Sequence, residues 1–317
     1  MKAEPYPDLD EDLYDVVRAI NADFHIPPHL LPAAEFRAMV EELSSRSTFI
    51  CPDGITLSDW TCQHGPRPVR VRFYLPRAWT SLTVYMHGGG WTVGSIEGHD
   101  QVCADLAEQS GCAVASVDYA LSPELCYPAA LEDCLAVYEA LLAGDAPLPH
   151  APSEMIVGGD SCGANLALAL SLKRRDAGLS IPDALALIYP CTEPDFSRPS
   201  YHTHHDAPFL TTPLMKAFWR NYLGEDMAQD AYSCPARADF ADMPPSLVLT
   251  AALDPLVDEG DDLAVQLTAA GIEVRHHRAE HLIHGFLRFR GSSKRARTAF
   301  GWLTSNLTEM IATLKEQ

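Results

Sequence analysis

The stretch Gly159-Asp160-Ser161-Cys162-Gly163 constrains the fold more than any other part of the chain. An apolar run, Met155-Ile156-Val157-Gly158, leads into it, and a helix-forming run from Ala164 to Leu170 leads out. Strand, sharp turn and helix therefore meet with a serine at the apex. Glycines on both sides let the backbone take a turn that a Cβ would obstruct. The hydroxyl raised there stands clear of a sheet, within reach of a substrate carbonyl. A bare G-x-S-x-G is common in loops; the strand before it and the helix after it are what make it specific.

Hydrophobic periodicity sets the context. Strands are expected at Val69–Tyr74, Leu82–Met86, Cys112–Val117, Met155–Gly158, Ala184–Tyr189, Leu247–Leu253 and Glu273–His277. Helices are expected at Ala129–Leu142, Leu166–Leu172, Asp261–Ala270 and Lys294–Leu314. Short apolar strands alternating with helices imply an α/β fold, a mostly parallel sheet covered on both faces. Residues 1–50 read as two helical runs separated by Pro27-Pro28. Between 191 and 240 the alternation breaks into Pro-, Asp- and His-rich sequence ahead of a helical run, Leu214–Leu223. The expected organisation is a core of residues 51–190 and 241–317, with 1–50 and the 191–240 insertion forming a helical cap over the carboxyl ends of the strands.

Charge and cysteine usage narrow the partners. A formal net charge of -20 repels phosphate backbones and anionic lipid, so neither a nucleic-acid nor a membrane partner is expected. No run approaches the roughly 20 apolar residues of a membrane-spanning helix. Met1–Asp8 lacks the basic-then-apolar pattern of a secretory signal. Nine scattered cysteines without a C-x-x-C pair read as reduced thiols in a cytoplasmic protein. His202-Thr203-His204-His205-Asp206 resembles the start of a metal motif but meets Ala207 where a histidine is needed, so no metal is expected there.

Three further features fit acyl transfer at Ser161. His87-Gly88-Gly89-Gly90 closes a strand, and its backbone amides, with that of Cys162, can point at a developing oxyanion. Asp254 closes the strand Leu247–Leu253, and His284 follows the strand at 273–277, in what reads as a loop. Serine, acid, histidine is the chain order of α/β-hydrolases. His281, in the same loop, is the rival of His284, and Asp258 that of Asp254. Cys162 is a competing thiol placed off the apex. Asp160 and Glu124 are expected to bond loop amides. Trp91, together with Phe209, Phe218 and Trp219 of the insertion, lines either a substrate pocket or the core of the cap.

The chain resembles the hormone-sensitive-lipase-like branch of the α/β-hydrolases, and within it bacterial acetyl esterases. The likeness rests on His87–Trp91, Asp118-Tyr119-Ala120-Leu121-Ser122-Pro123-Glu124, the serine turn, Asp254-Pro255-Leu256 and His284-Gly285-Phe286. It implies Ser161 as nucleophile, His284 as base then acid, and Asp254 as the orienting carboxylate. Gly88, Gly89 and Cys162 would supply the oxyanion amides. The implied substrate is a short-chain ester, hydrolysed without cofactor, and the branch raises a homodimer through the last strand and helix. Cys162, Ala164, Ala120 and Val257 depart from the branch's usual alanine, glycine and two arginines. An aryl formamidase on the same triad is the alternative; a small-molecule binding protein on this fold is a lower one, since no triad member is missing.

Overall fold

The computed structural model describes residues 6–23, 25–46, 48–224 and 229–316. The first five residues of the amino-terminal segment, and positions 24, 47 and 225–228 of the expected cap, lie outside them. Among the described residues one sheet of eight strands is formed by β1 (Ile55–Cys62), β2 (Val69–Pro76), β3 (Ser81–Met86), β4 (Ala113–Val117), β5 (Glu154–Asp160), β6 (Ala184–Ile188), β7 (Ser246–Leu253) and β8 (Val274–Ile283). Their order is β1-β2-β4-β3-β5-β6-β7-β8. β1 pairs antiparallel with β2 and β2 with β4; every other pair is parallel.

Every residue of β3, β4, β5, β6 and β7 is buried, which is why these strands read as unbroken apolar runs. Along β3, Leu82, Val84 and Met86 belong to one core and Tyr85 to the other. The first core takes the inward residues of α4 (Ala129–Ala143), α5 (Cys162–Asp176) and α8 (Val257–Ala269). The second takes those of α3 (Ile96–Ser110) and α9 (Lys294–Leu314).

Two of the longer elements were not expected from the sequence. β1 is an edge strand whose residues alternate partly buried and exposed, so it carries no apolar run. α3 turns His99 and Asp100 inward beside its apolar residues, which breaks the amphipathic pattern that would announce it. β8 also runs six residues beyond the expected end at His277, taking His281 into the strand.

Helix α2 (Ala33–Ser45) and the residues ahead of α1 (Tyr14–Asp23) meet the segment between β6 and β7, which carries α6 (Pro199–Thr203) and α7 (Thr212–Leu223). Phe36 stacks on Phe218 with ring centroids 6.1 Å apart, and Tyr6 Oη lies 2.7 Å from His204 Nδ1. Arg37 on α2 donates to the carbonyls of Thr92 (2.6 Å) and Ser122 (2.8 Å), tying this helix to the loops that follow β3 and β4. Thr211 caps α7 by accepting from the Leu214 amide at 3.2 Å. Among the described residues no helix is long and apolar enough to cross a membrane.

One buried carboxylate joins this segment to the core. Glu259 on α8 accepts from the Thr192 amide (2.5 Å), the Thr192 hydroxyl (3.0 Å), the Glu193 amide (3.1 Å) and the Tyr201 hydroxyl. Burial pushes its carboxyl up to about 7, although all four donors favour the carboxylate. Folding therefore favours the protonated form. Its contribution to stability is complete below the ordinary value of 4.5 and is lost as pH rises through about 7. Between about pH 6 and about pH 8.5 the melting temperature should fall more in the wild type than in Glu259→Gln, which is neutral throughout. Differential scanning calorimetry at the two pH values measures the difference.

Candidate active site

Ser161 stands between β5 and α5 with φ 58° and ψ -121°, a left-handed backbone that side chains rarely adopt. The strain sits on the serine itself. The flanking glycines answer a different need, since a Cβ on Gly159 would lie 2.2 Å, and one on Gly163 1.9 Å, from the carbonyl oxygen of Met86. The turn thus presses against the end of β3. The Ser161 amide donates to the Ile188 carbonyl at 2.8 Å, anchoring the other side to β6.

Because neighbouring parallel strands end on one side of the sheet, Asp254 after β7 and His284 after β8 arrive beside Ser161. His284 Nδ1 lies 2.6 Å from Asp254 Oδ2, and Nε2 lies 2.9 Å from Ser161 Oγ. A carboxylate only accepts, so Nδ1 carries the proton and Nε2 is left as acceptor for the serine hydroxyl. The second oxygen of Asp254 accepts from the Leu256 amide at 2.9 Å, so the carboxylate is held at both ends. Asp254 is fully buried, while Ser161 and His284 keep 6% and 5% exposure, enough for a substrate atom to approach.

The glycine loop after β3 supplies the remaining polarity, differently from expectation. The Gly88 amide donates to Asp160 Oδ1 at 2.9 Å and is therefore committed to a protein acceptor. Gly88 thus does not offer an oxyanion donor. Among the described residues the amides of Gly89 and Cys162 have no protein acceptor, and that of Gly90 faces only the weakly accepting Cys162 Sγ. Gly90 was not among the expected donors, because three consecutive glycines do not say which amides are occupied.

Asp160 also accepts from Tyr85 Oη at 2.8 Å and lies 3.5 Å from His99 Nε2. Burial alone would raise its pKa, but His99 and the Tyr85 and Gly88 donors outweigh burial and hold it well below the usual carboxylate range. Burial, reinforced by the neighbouring His99, pushes His87 down to about 3, so it packs against Tyr119 as a neutral ring, centroids 4.3 Å apart.

A family described as the α/β-hydrolase fold matches residues 83–288. The chain belongs to this family. It falls in the hormone-sensitive-lipase-like branch that its motifs resemble. It is 34% identical over 286 residues to the carboxylesterase NlhH of Mycobacterium tuberculosis, covering 88% of this chain and 83% of that one. It is 31% identical to an ethyl acetate hydrolase of Pseudomonas putida, covering 89% and 92%. Among solved structures, a hyperthermophilic esterase from the archaeon Pyrobaculum calidifontis superposes with a TM-score of 0.88 at 32% identity, covering 96% and 99%.

Within this hydrolase the rival residues take other places. His281 lies in β8 with φ 66°, its Nδ1 2.8 Å from the carbonyl of Asp8. Asp258 accepts from the Ser200 amide at 2.8 Å, in the first turn of α6. Cys162 is fully buried behind the glycine loop, where burial pushes its thiol up to about 12, far from a nucleophilic thiolate. Glu124 pairs with Arg37 and also bonds its own backbone amide. His205 Nδ1 bonds Asp206 at 2.8 Å while His204 bonds Tyr6, and among the described residues no cluster of His, Cys, Asp and Glu is arranged to hold a metal.

Trp91 and Trp219 are fully buried, with Trp91 stacked on Tyr222 at 4.0 Å, and both belong to the first core. Phe209 keeps partial exposure and lies against Gly285, next to His284, and the Phe218 ring lies against Gly90. Asp160→Ala should lower kcat by about 100-fold by releasing the glycine loop, the scale of losing an oxyanion donor. In the same steady-state assay His284→Ala should abolish turnover and His281→Ala should leave it within about twofold.

Proposed function

We propose that this carboxylic ester hydrolase cleaves short-chain acyl esters, with Ser161 as nucleophile, His284 as general base then acid, and Asp254 as the carboxylate orienting the imidazole. The observation that carries the reading is the continuous bond from Asp254 Oδ2 through both nitrogens of His284 to Ser161 Oγ. The Ser161 oxygen bonds the ester carbonyl carbon while its proton passes to His284 Nε2. Negative charge on the carbonyl oxygen is met by the amides of Gly89, Gly90 and Cys162. The carbon–oxygen bond to the alcohol then breaks, and the alcohol leaves with the proton from His284. Water, deprotonated by the same nitrogen, attacks the acyl-serine; the carboxylic acid departs and the serine regains its proton.

Short acyl chains are supported by the near closure over Ser161, with Phe209 and Phe218 crowding Gly285 and Gly90. The relative named for ethyl acetate hydrolysis points the same way. Residues 1–50 and 191–240 are read as a cap, with Phe209 lining the entrance and Trp91 and Trp219 shaping it from behind. Nine free cysteines support a cytoplasmic location, and the outer edge of β8 is the surface on which a homodimer would form.

Hydrolysis of p-nitrophenyl esters from acetate to dodecanoate should peak at short chains. Ser161→Ala should remain folded and lose activity by several orders of magnitude, as loss of a triad nucleophile does. A preference for long chains would refute the acyl range. Turnover unchanged by Ser161→Ala would refute the mechanism, and N-formylkynurenine cleaved far faster than any ester would move the enzyme to the formamidases.

A further inference from the structure

The residue after the nucleophile contributes two groups to the site. Its amide opens α5 beside Ser161, while its side chain turns back beneath the glycine loop. Cys162 Sγ accepts from the Trp91 amide at 3.2 Å, and lies 3.6 Å from Tyr119 Oη and 3.8 Å from the His87 carbonyl oxygen. Tyr119 gives its own proton to the His87 carbonyl at 2.6 Å. The thiol proton is therefore left to donate to the Tyr119 oxygen or to the same carbonyl, and a sulfur lone pair is left to receive the Trp91 amide.

The opposite flank mirrors this arrangement. Asp160, before the nucleophile, takes the Gly88 amide. The two neighbours of Ser161 thus pin amides 88 and 91; between the pins amide 89 has no protein acceptor and amide 90 has only the weakly accepting Cys162 Sγ.

We propose that Cys162 is a positioning residue for ester hydrolysis, its thiol fixing the Trp91 end of the loop so that the Gly89 and Gly90 amides face the oxyanion. The inference rests on the reading of Ser161 as nucleophile. The usual alanine of the branch offers no acceptor at this place. In this chain its methyl would leave a fully buried Trp91 amide unpaired, and the loop relieves that by turning the peptide. The Gly90 amide is the next donor along the chain and turns with it. Serine has a shorter reach but keeps both an acceptor and a proton. The contact acts on charge that develops only in the transition state, so its loss appears in kcat rather than in KM.

The test compares wild type, Cys162→Ala, Cys162→Ser and Ser161→Ala on p-nitrophenyl acetate, with melting temperatures measured alongside. Cys162→Ala should lower kcat by about tenfold with KM changed less than about twofold, a smaller loss than deleting an oxyanion donor outright. Cys162→Ser should recover most of that loss. With Ser161→Ala inactive, a Cys162→Ala enzyme within about twofold of wild type overturns the inference alone. So do equal losses in the Ala and Ser variants, which would mark a packing role. Activity surviving Ser161→Ala overturns the nucleophile reading, and this inference with it.

Discussion

The closest approach in the molecule that admits no side chain lies between the serine turn and the end of β3. The Met86 carbonyl oxygen occupies the space where a Cβ of Gly159 or Gly163 would stand. That contact fixes the height of Ser161 above the sheet and forces its backbone to the left-handed region. It also brings the end of β3, and the glycine loop that follows, alongside the start of α5. Amides from two distant parts of the chain can then face one point, and the carboxyl ends of β7 and β8 deliver the acid and histidine to the same point. An insertion or a larger residue in this turn would separate Ser161 from the proposed oxyanion donors before it disturbed its bond to His284.

Buried charge is handled in three ways around this contact. Asp254 receives an imidazole and a backbone amide and so orients His284. Asp160 collects the Gly88 amide, a tyrosine hydroxyl and a nearby histidine, and serves the loop rather than the proton transfer. Glu259 gathers four donors from the segment between β6 and β7. Each lies at or behind a strand's carboxyl end, where unpaired backbone amides are available to a carboxylate. The acidity of the surface, by contrast, has no part in the site's geometry.

Much of this was legible in the sequence, for reasons that differ by element. The buried parallel strands declare themselves as apolar runs because both faces are covered, and the serine turn because its glycines are sterically required. Ser161, Asp254 and His284 could be placed because each follows a strand. β1 and α3 escaped notice: one is half exposed at an edge, and the other buries polar side chains, so neither carries the expected period. His281 was placed in a loop because strand β8 continues through Arg278, Glu280 and His281, polar residues tolerated at a sheet edge. The occupation of the Gly88 amide was beyond sequence reading, since which donor a carboxylate takes is decided by tertiary contact. The double use of Cys162 was hidden for the same reason.

The account stands on Ser161 being the atom that bonds the substrate carbonyl. Reaction with diethyl p-nitrophenyl phosphate, followed by peptide mass mapping during the loss of esterase activity, tests this most directly. The predicted result is one diethylphosphoryl group on the peptide bearing Ser161, its occupancy rising in step with inactivation, and no label in Ser161→Ala. Inactivation with the label on another residue, or full labelling of Ser161 with ester turnover intact, would contradict it.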